Sequence, residues 1–187
     1  IERDHVPPSA APRPLGPNGG KLIAEAVDRL VRARHAGKPR MLVFGAHTIK
    51  NGLAPVIIRL VESGWITHLA TNGAGIIHDW EFAYQGASSE DVRANVAEGE
   101  FGAWEETGFY INLAINVGAW EGLGYGEAIG ALVQNEGLEI PEASALQEAI
   151  IAAVQMQDFD KAAAAADLLG IVRRFDLPAG RMAVPHP

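Results

Sequence analysis

Two short stretches, Met41-Leu42-Val43-Phe44 and Ile66-Thr67-His68-Leu69-Ala70-Thr71, carry the strand signal of this chain, and each runs directly into a glycine-bounded polar loop. Between them Leu53–Val61 reads as a helix, with Pro55 in its first turn and Ser63-Gly64 ending it. Strand, helix and strand over so short a span form one βαβ unit, which requires parallel strands and a right-handed crossover. Parallel strands are covered on both faces, so the predicted class is α/β: a Rossmann-like parallel sheet with helices on both faces. Two strands do not make a stable sheet. The pattern is therefore helix-rich and incomplete in the residues given, with further strands expected from a partner subunit or from chain beyond Pro187.

The rest of the chain is helical in pattern. Leu22, Ile23, Ala26, Val27, Leu30 and Val31 recur at helical spacing over 20–36, and Gly37 and Pro39 end that run. Further helices are expected near 77–86, 88–97, 104–117, 124–136, 143–155 and 158–174. Residues 1–20, with Pro7, Pro8, Pro12, Pro14 and Pro17, read as an extended arm suited to clasping a neighbour. Residues 21–187 read as a single Rossmann-like domain, and Arg181–Pro187 as an exit into further chain.

Composition narrows the function classes. The formal charge of −8 disfavours nucleic acid, whose phosphates call for clustered Lys and Arg. Arg29, Arg32, Arg34, Lys38 and Arg40 lie along one predicted helix and its exit and read as a solvated face. The chain contains no cysteine, which removes disulfides, thiolate catalysis and cysteine metal sites. It has neither an apolar run of about 18 residues nor a secretory leader pattern at Ile1-Glu2-Arg3-Asp4, so a soluble, cytoplasmic protein without membrane partners is expected.

The strongest local motif is Thr71-Asn72-Gly73-Ala74-Gly75-Ile76-Ile77-His78-Asp79, at the carboxyl end of a strand and the start of a helix. Open α/β sheets bind ligands at that edge, and the N–H groups of a helix start suit a pyrophosphate. Gly73 and Gly75 would let a ligand approach the backbone; the alternative is glycines that serve the turn alone. Gly45-Ala46-His47-Thr48-Ile49-Lys50-Asn51-Gly52 holds the equivalent place after the first strand. There His47, Thr48, Lys50 and Asn51 are candidate donors to phosphate or ribose, unless Asn51 only caps the next helix. His78-Asp79-Trp80-Glu81 offers metal ligands or, with a carboxylate beside the imidazole, a proton acceptor at His78. His47 and His68 read as structural, with His68 in the core. Gly122-Leu-Gly124-Tyr-Gly126-Glu-Ala-Ile-Gly130 lacks a preceding strand and reads as a helix–helix turn. Phosphate-loop, nucleophile-elbow and HExxH patterns are all absent.

Over roughly Met41 to Asn116 the chain resembles deoxyhypusine synthase and its bacterial relatives. The similarity rests on Ser63-Gly64-Trp65-Ile66-Thr67-His68-Leu69-Ala70-Thr71, the Asn72–Gly75 turn with Asp79, Gly99-Glu100-Phe101, and the Gly108 to Asn112 spacing. The resemblance implies a Rossmann-like domain that binds NAD, in a homotetramer with sites at subunit interfaces. It implies an NAD-dependent transferase that oxidises a polyamine and passes on its aminoalkyl group through an enzyme lysine. By position, Thr71, Asn72, Gly73 and Ala74 would touch NAD, and Asp79 would contact it or lie beside it. Two departures set spermidine apart as substrate. Ile77 and His78 stand where the family has paired acidic residues, and the family's lysine-bearing segment is not in these residues. The reading is thus an NAD-binding, amine-directed transferase. Its rivals are a non-catalytic relative kept for assembly or ligand binding, and a metal-dependent hydrolase around His47, His78 and Asp79.

Overall fold

A computed structural model describes residues 14–102 and 104–184. In chain order the elements are α1 (Pro17–His35), β1 (Met41–Val43), α2 (Ala46–Lys50), α3 (Ala54–Glu62), β2 (His68–Ala70), α4 (Gly73–Gln85), α5 (Val92–Glu98), α6 (Glu105–Glu121), α7 (Tyr125–Asn135), β3 (Gly137–Ile140), α8 (Ala143–Gln155), α9 (Phe159–Arg174) and β4 (Gly180–Ala183). They form two compact units: one from residues up to Val43 together with Val56–Ala70, the other from Phe44–Pro55 and Thr71 onward. The protein is a helix-rich α/β chain with two small sheets. Most of the predicted proline-rich arm lies outside the described residues, and its last part, from Pro17, is the first turn of α1.

The first unit holds the βαβ element. Strands β1 and β2 pair in parallel, with Met41 opposite His68 and Val43 opposite Ala70. Arg40 ties the start of β1 to the turn before β2: its Nε donates to the Trp65 carbonyl at 2.8 Å and its Nη2 to that of Gly64 at 3.1 Å. The Arg34 guanidinium stacks 4.3 Å from the Trp65 ring centre. On α1, Arg29 pairs with Glu25 and Arg32 with Asp28 one turn away, so most of the basic series is spent within this unit.

Both-face burial of these strands is not what the structure shows. Met41 is 62% and Val43 69% exposed, and Leu69 is exposed as well. His68, expected in the core, is exposed, its Nδ1 lying 2.7 Å from the Thr67 hydroxyl. The physical reason is that, among the described residues, no helix of this unit lays a face on the sheet: α1 has no buried residue and α3 buries only Ile57.

The second unit carries the hydrophobic core. Ile111, Leu113, Ala114 and Val117 of α6 pack with Trp80 of α4, Ile129 and Leu132 of α7, Leu138 and Ile140 of β3, and Ala165, Leu168 and Leu169 of α9. Helices α6 and α7 approach closely because Gly118 has no side chain, and the turn between them follows from Gly122 at φ 80°. Of the Gly122–Gly130 segment, read as a helix–helix turn, only Gly122–Gly124 forms the turn; Gly126 and Gly130 lie within α7.

Strands β3 and β4 were not legible in the pattern. They pair antiparallel, Gly137 opposite Ala183 and Ile140 opposite Gly180, and the Cα of Gly137 lies against the Met182 carbonyl. Arg181–Ala183, expected to lead outward, is a strand that covers the core. These two additional strands pair with each other; the parallel sheet stays two-stranded. A full Rossmann sheet is not formed by the described residues. Among them, no helix is long and apolar enough to cross a membrane.

Candidate functional site

The site lies wholly within the second unit and starts from α4. Asn72 caps that helix, its side-chain oxygen accepting from the Gly75 N–H at 3.1 Å. From this start, helical spacing places Ile77, His78 and Glu81 on one side of α4, while Trp80 and Ile76 face the core. Gly86, at φ 71°, ends the helix and turns the chain into the segment 86–91. Asp91 starts α5 by accepting from the N–H groups of Arg93 and Ala94.

A cavity of about 460 Å³ opens between α4, the 88–92 segment, Phe101–Gly102 and the first turns of α6, with Lys50 of α2 on its wall. That volume suits a small organic ligand. Its apolar lining comes from Ile77, Val92, Phe101, Trp104 and Ile111. A second recess beside Trp80 and Leu132 is about 20 Å³, room for no more than a water.

Three side chains meet at the cavity's edge. Glu81 is buried, 7% exposed, and its Oε2 accepts from the Ser88 hydroxyl at 2.7 Å and from the Ser89 N–H at 3.2 Å. The same oxygen lies 3.1 Å from His78 Nδ1, and Ser88 Oγ lies 2.6 Å from Nδ1. Because Ser88 gives its only proton to the carboxylate, Nδ1 carries the ring proton and shares it between Ser88 and Glu81. The other ring nitrogen, Nε2, makes no hydrogen bond among the described residues. Ser89 adopts φ 75°, the left-handed region, which costs a non-glycine residue strain. That conformation turns its N–H onto Glu81, while its own buried hydroxyl has no partner.

The second carboxylate on the wall is also engaged. Glu90 accepts from the Gly102 N–H at 2.8 Å and from the Asn95 amide at 2.5 Å. It fastens the segment before α5 to the segment after it, closing one side of the cavity.

Of the residues expected from sequence, His78 and Lys50 lie at this cavity, but the carboxylate that holds His78 is Glu81 and not its neighbour Asp79. Thr48, Asn51, Thr71, Asn72, Gly73, Ala74, Gly75 and Asp79 do not line it. Asn51 is the C-cap of α2, not the start of the next helix. Helices α2 and α4 do pack together, so the two loops that follow the strands are neighbours within this unit. Glu81 sat inside the quoted His78–Glu81 string, three residues from the imidazole. Ser88 and Ser89 were hidden because 88–97 read as one helix, whereas Asp91 delays α5 to Val92.

The glycine turn was tested as a cradle for NAD. A Cβ on Gly75 would meet Thr71 Oγ1 at 2.7 Å, and one on Gly73 would meet the Tyr125 hydroxyl at 3.4 Å. The space beside both glycines is filled by the chain's own side chains, and Asn72 takes the Gly75 N–H. The residues present do not fit a pyrophosphate seated on these glycines. Among the described residues, no three metal-ligating side chains converge.

Asp79 is exposed as a residue, yet chain packed around its carboxyl desolvates the charge and holds its pKa above the ordinary 3.8. With a raised folded-state pKa, the carboxyl's stabilising contribution is complete below about 3.8 and is lost as pH rises through the folded value. Asp79→Asn should therefore raise the melting temperature at pH 7, with the gain shrinking towards zero in acid. A variant melting below the natural protein at pH 7 would contradict this.

No family model, curated protein or solved structure matches this chain.

Proposed function

We propose that this protein is an enzyme acting on a small amine, with His78 as the proton acceptor in the cavity of the second unit. The single observation that carries this reading is the engagement of His78 Nδ1 by both Glu81 and Ser88. Glu81 and Ser88 hold Nδ1, which leaves Nε2 as the uncommitted base of an otherwise largely apolar recess. An amine bound there places an N–H against Nε2. The amine binds as its ammonium: one of its N–H bonds breaks, Nε2–H forms, and the electron pair stays on the nitrogen, which becomes a neutral, nucleophilic amine. Buried Glu81, 3.1 Å from Nδ1, balances the imidazolium that results. Transfer of an aminoalkyl group is the reaction class that the resemblance to deoxyhypusine synthase supports.

The test uses phenethylamine, whose phenyl body suits the Phe101 and Trp104 walls. Its addition should move the ring-nitrogen NMR signal of His78 Nε2 towards the protonated range, saturably. His78→Gln should remove that signal and weaken binding about tenfold or more, the scale of a hydrogen bond to a charged group. An unmoved His78 signal, or equal affinity in His78→Gln, would sink the reading.

A further inference from the structure

Charge accounting around the cavity identifies what else its ligand must carry. Three charged side chains line the wall: Lys50, Glu81 and Glu90. Glu81 Oε2 is held by Ser88, Ser89 and His78. Glu90 is held through both oxygens, one by Gly102 and the other by Asn95. Each carboxylate is thereby spent on the protein's own structure. Lys50 makes no ion pair or hydrogen bond among the described residues, although α2 packs directly on the helix that bears His78 and Glu81. The charge that the wall leaves unanswered is therefore positive. Beside it stand further uncommitted donors: the Thr107 hydroxyl and the Ser89 hydroxyl, the latter buried without a partner. The remaining surface is aromatic and aliphatic.

We infer that the ligand of this site bears a carboxylate as well as an amine on an apolar body, an amino acid in chemical class, with Lys50 as the residue that selects for the carboxylate. This rests on the reading of His78 above and adds the second pole of the substrate. His78 Nε2 takes the amine, Lys50 takes the carboxylate beside it, and Phe101, Trp104 and Ile111 enclose the side chain. A carboxylate offers lone pairs to Lys50 and to a hydroxyl together, whereas a plain amine leaves Lys50 and both hydroxyls without a partner.

Three probes with the same phenyl body separate the two ends: phenylalanine, phenethylamine without the carboxylate, and 3-phenylpropionate without the amine. Calorimetry on the natural chain should show phenylalanine binding most tightly. Lys50→Gln lies on an exposed side chain, so the variant keeps the fold. It should weaken phenylalanine and 3-phenylpropionate by about 10- to 100-fold, the worth of a charge-assisted contact, and leave phenethylamine unchanged. Phenethylamine binding as tightly as phenylalanine would overturn the inference while leaving His78 as amine acceptor. So would an unchanged affinity of phenylalanine in Lys50→Gln. A chain that binds phenethylamine with the His78 signal shift but neither acid also refutes it. Absence of binding by all three refutes both readings.

Discussion

Gly118→Ala should destabilise the second unit by about 1–3 kcal/mol or more. A Cβ built on Gly118 falls 2.4 Å from the Ala128 Cβ and 3.3 Å from its Cα, well inside van der Waals contact. Both residues are buried, Ala128 at 3% exposure, and they belong to different helices, so relief requires α6 and α7 to separate. Separation would open the core where Val117, Ile129 and Leu132 meet, because interiors packed to crystal density do not yield smoothly. The cost follows from geometry and not from helix propensity, which favours alanine over glycine by about 1 kcal/mol. A compensating exchange tests this. In Gly118→Ala/Ala128→Gly the same methyl fills the same gap from the opposite helix, and most of the lost stability should return. Urea unfolding followed by circular dichroism reads both variants. Equal midpoints for Gly118→Ala and the natural chain would show that the close crossing of α6 and α7 is absent. Failure of the double variant to recover would show that the loss came from elsewhere.

The core of that unit was legible where the 3.6-residue period is sustained. The helices expected near 104–117, 124–136, 143–155 and 158–174 appear as Glu105–Glu121, Tyr125–Asn135, Ala143–Gln155 and Phe159–Arg174. Long amphipathic runs declare themselves because their burial repeats over several turns. Strands β3 and β4 did not declare themselves. Four residues such as Gly137-Leu-Glu-Ile140 are too few to establish a period of two, and their pairing partner lies some forty residues away in the chain. The apolar run at Met41–Phe44 was legible as a strand, while its burial was not: a sequence states what a strand prefers to be packed against, not whether that packing is supplied.

The site divides in the same way. His78 was marked by its place after a glycine turn, and the i, i+3 spacing to Glu81 was present in the string His78–Glu81. What fixes their roles is tertiary. Ser88 and Ser89 reach Glu81 only because Gly86 and the left-handed Ser89 fold the chain back on α4, and no periodicity encodes that turn. The glycines of the Thr71–Asp79 motif show the reverse error. Their spacing invites a ligand, but Thr71 and Tyr125 fill the space that the missing side chains leave.

The two units should differ sharply in local stability, and hydrogen exchange on the intact chain measures the difference. Among the described hydrophobic residues of the first unit only Ile57 and Ile66 are buried, whereas Leu22 is 64%, Met41 62% and Val43 69% exposed. A parallel pair of three-residue strands has unpaired N–H and C=O groups along both edges, and isolated two-stranded sheets are marginal in water. Helix α1 has two exposed ion pairs along its length, each worth about 0.3–0.5 kcal/mol, which does not replace a buried face. In the second unit Leu113, Leu132, Leu146 and Leu168 are fully buried, and truncating any one of them to alanine carries about 2–5 kcal/mol. Amides of α6, α7, α9 and β3 should therefore exchange only through large openings, slowed by about a thousandfold or more relative to free peptide. Those of α1, β1 and β2 should exchange through local openings, with protection smaller by orders of magnitude at low protein concentration. Equal protection of the Leu30 and Leu132 amides at the lowest concentration measured would refute the difference, since it would require the first unit to be held as firmly as a packed core.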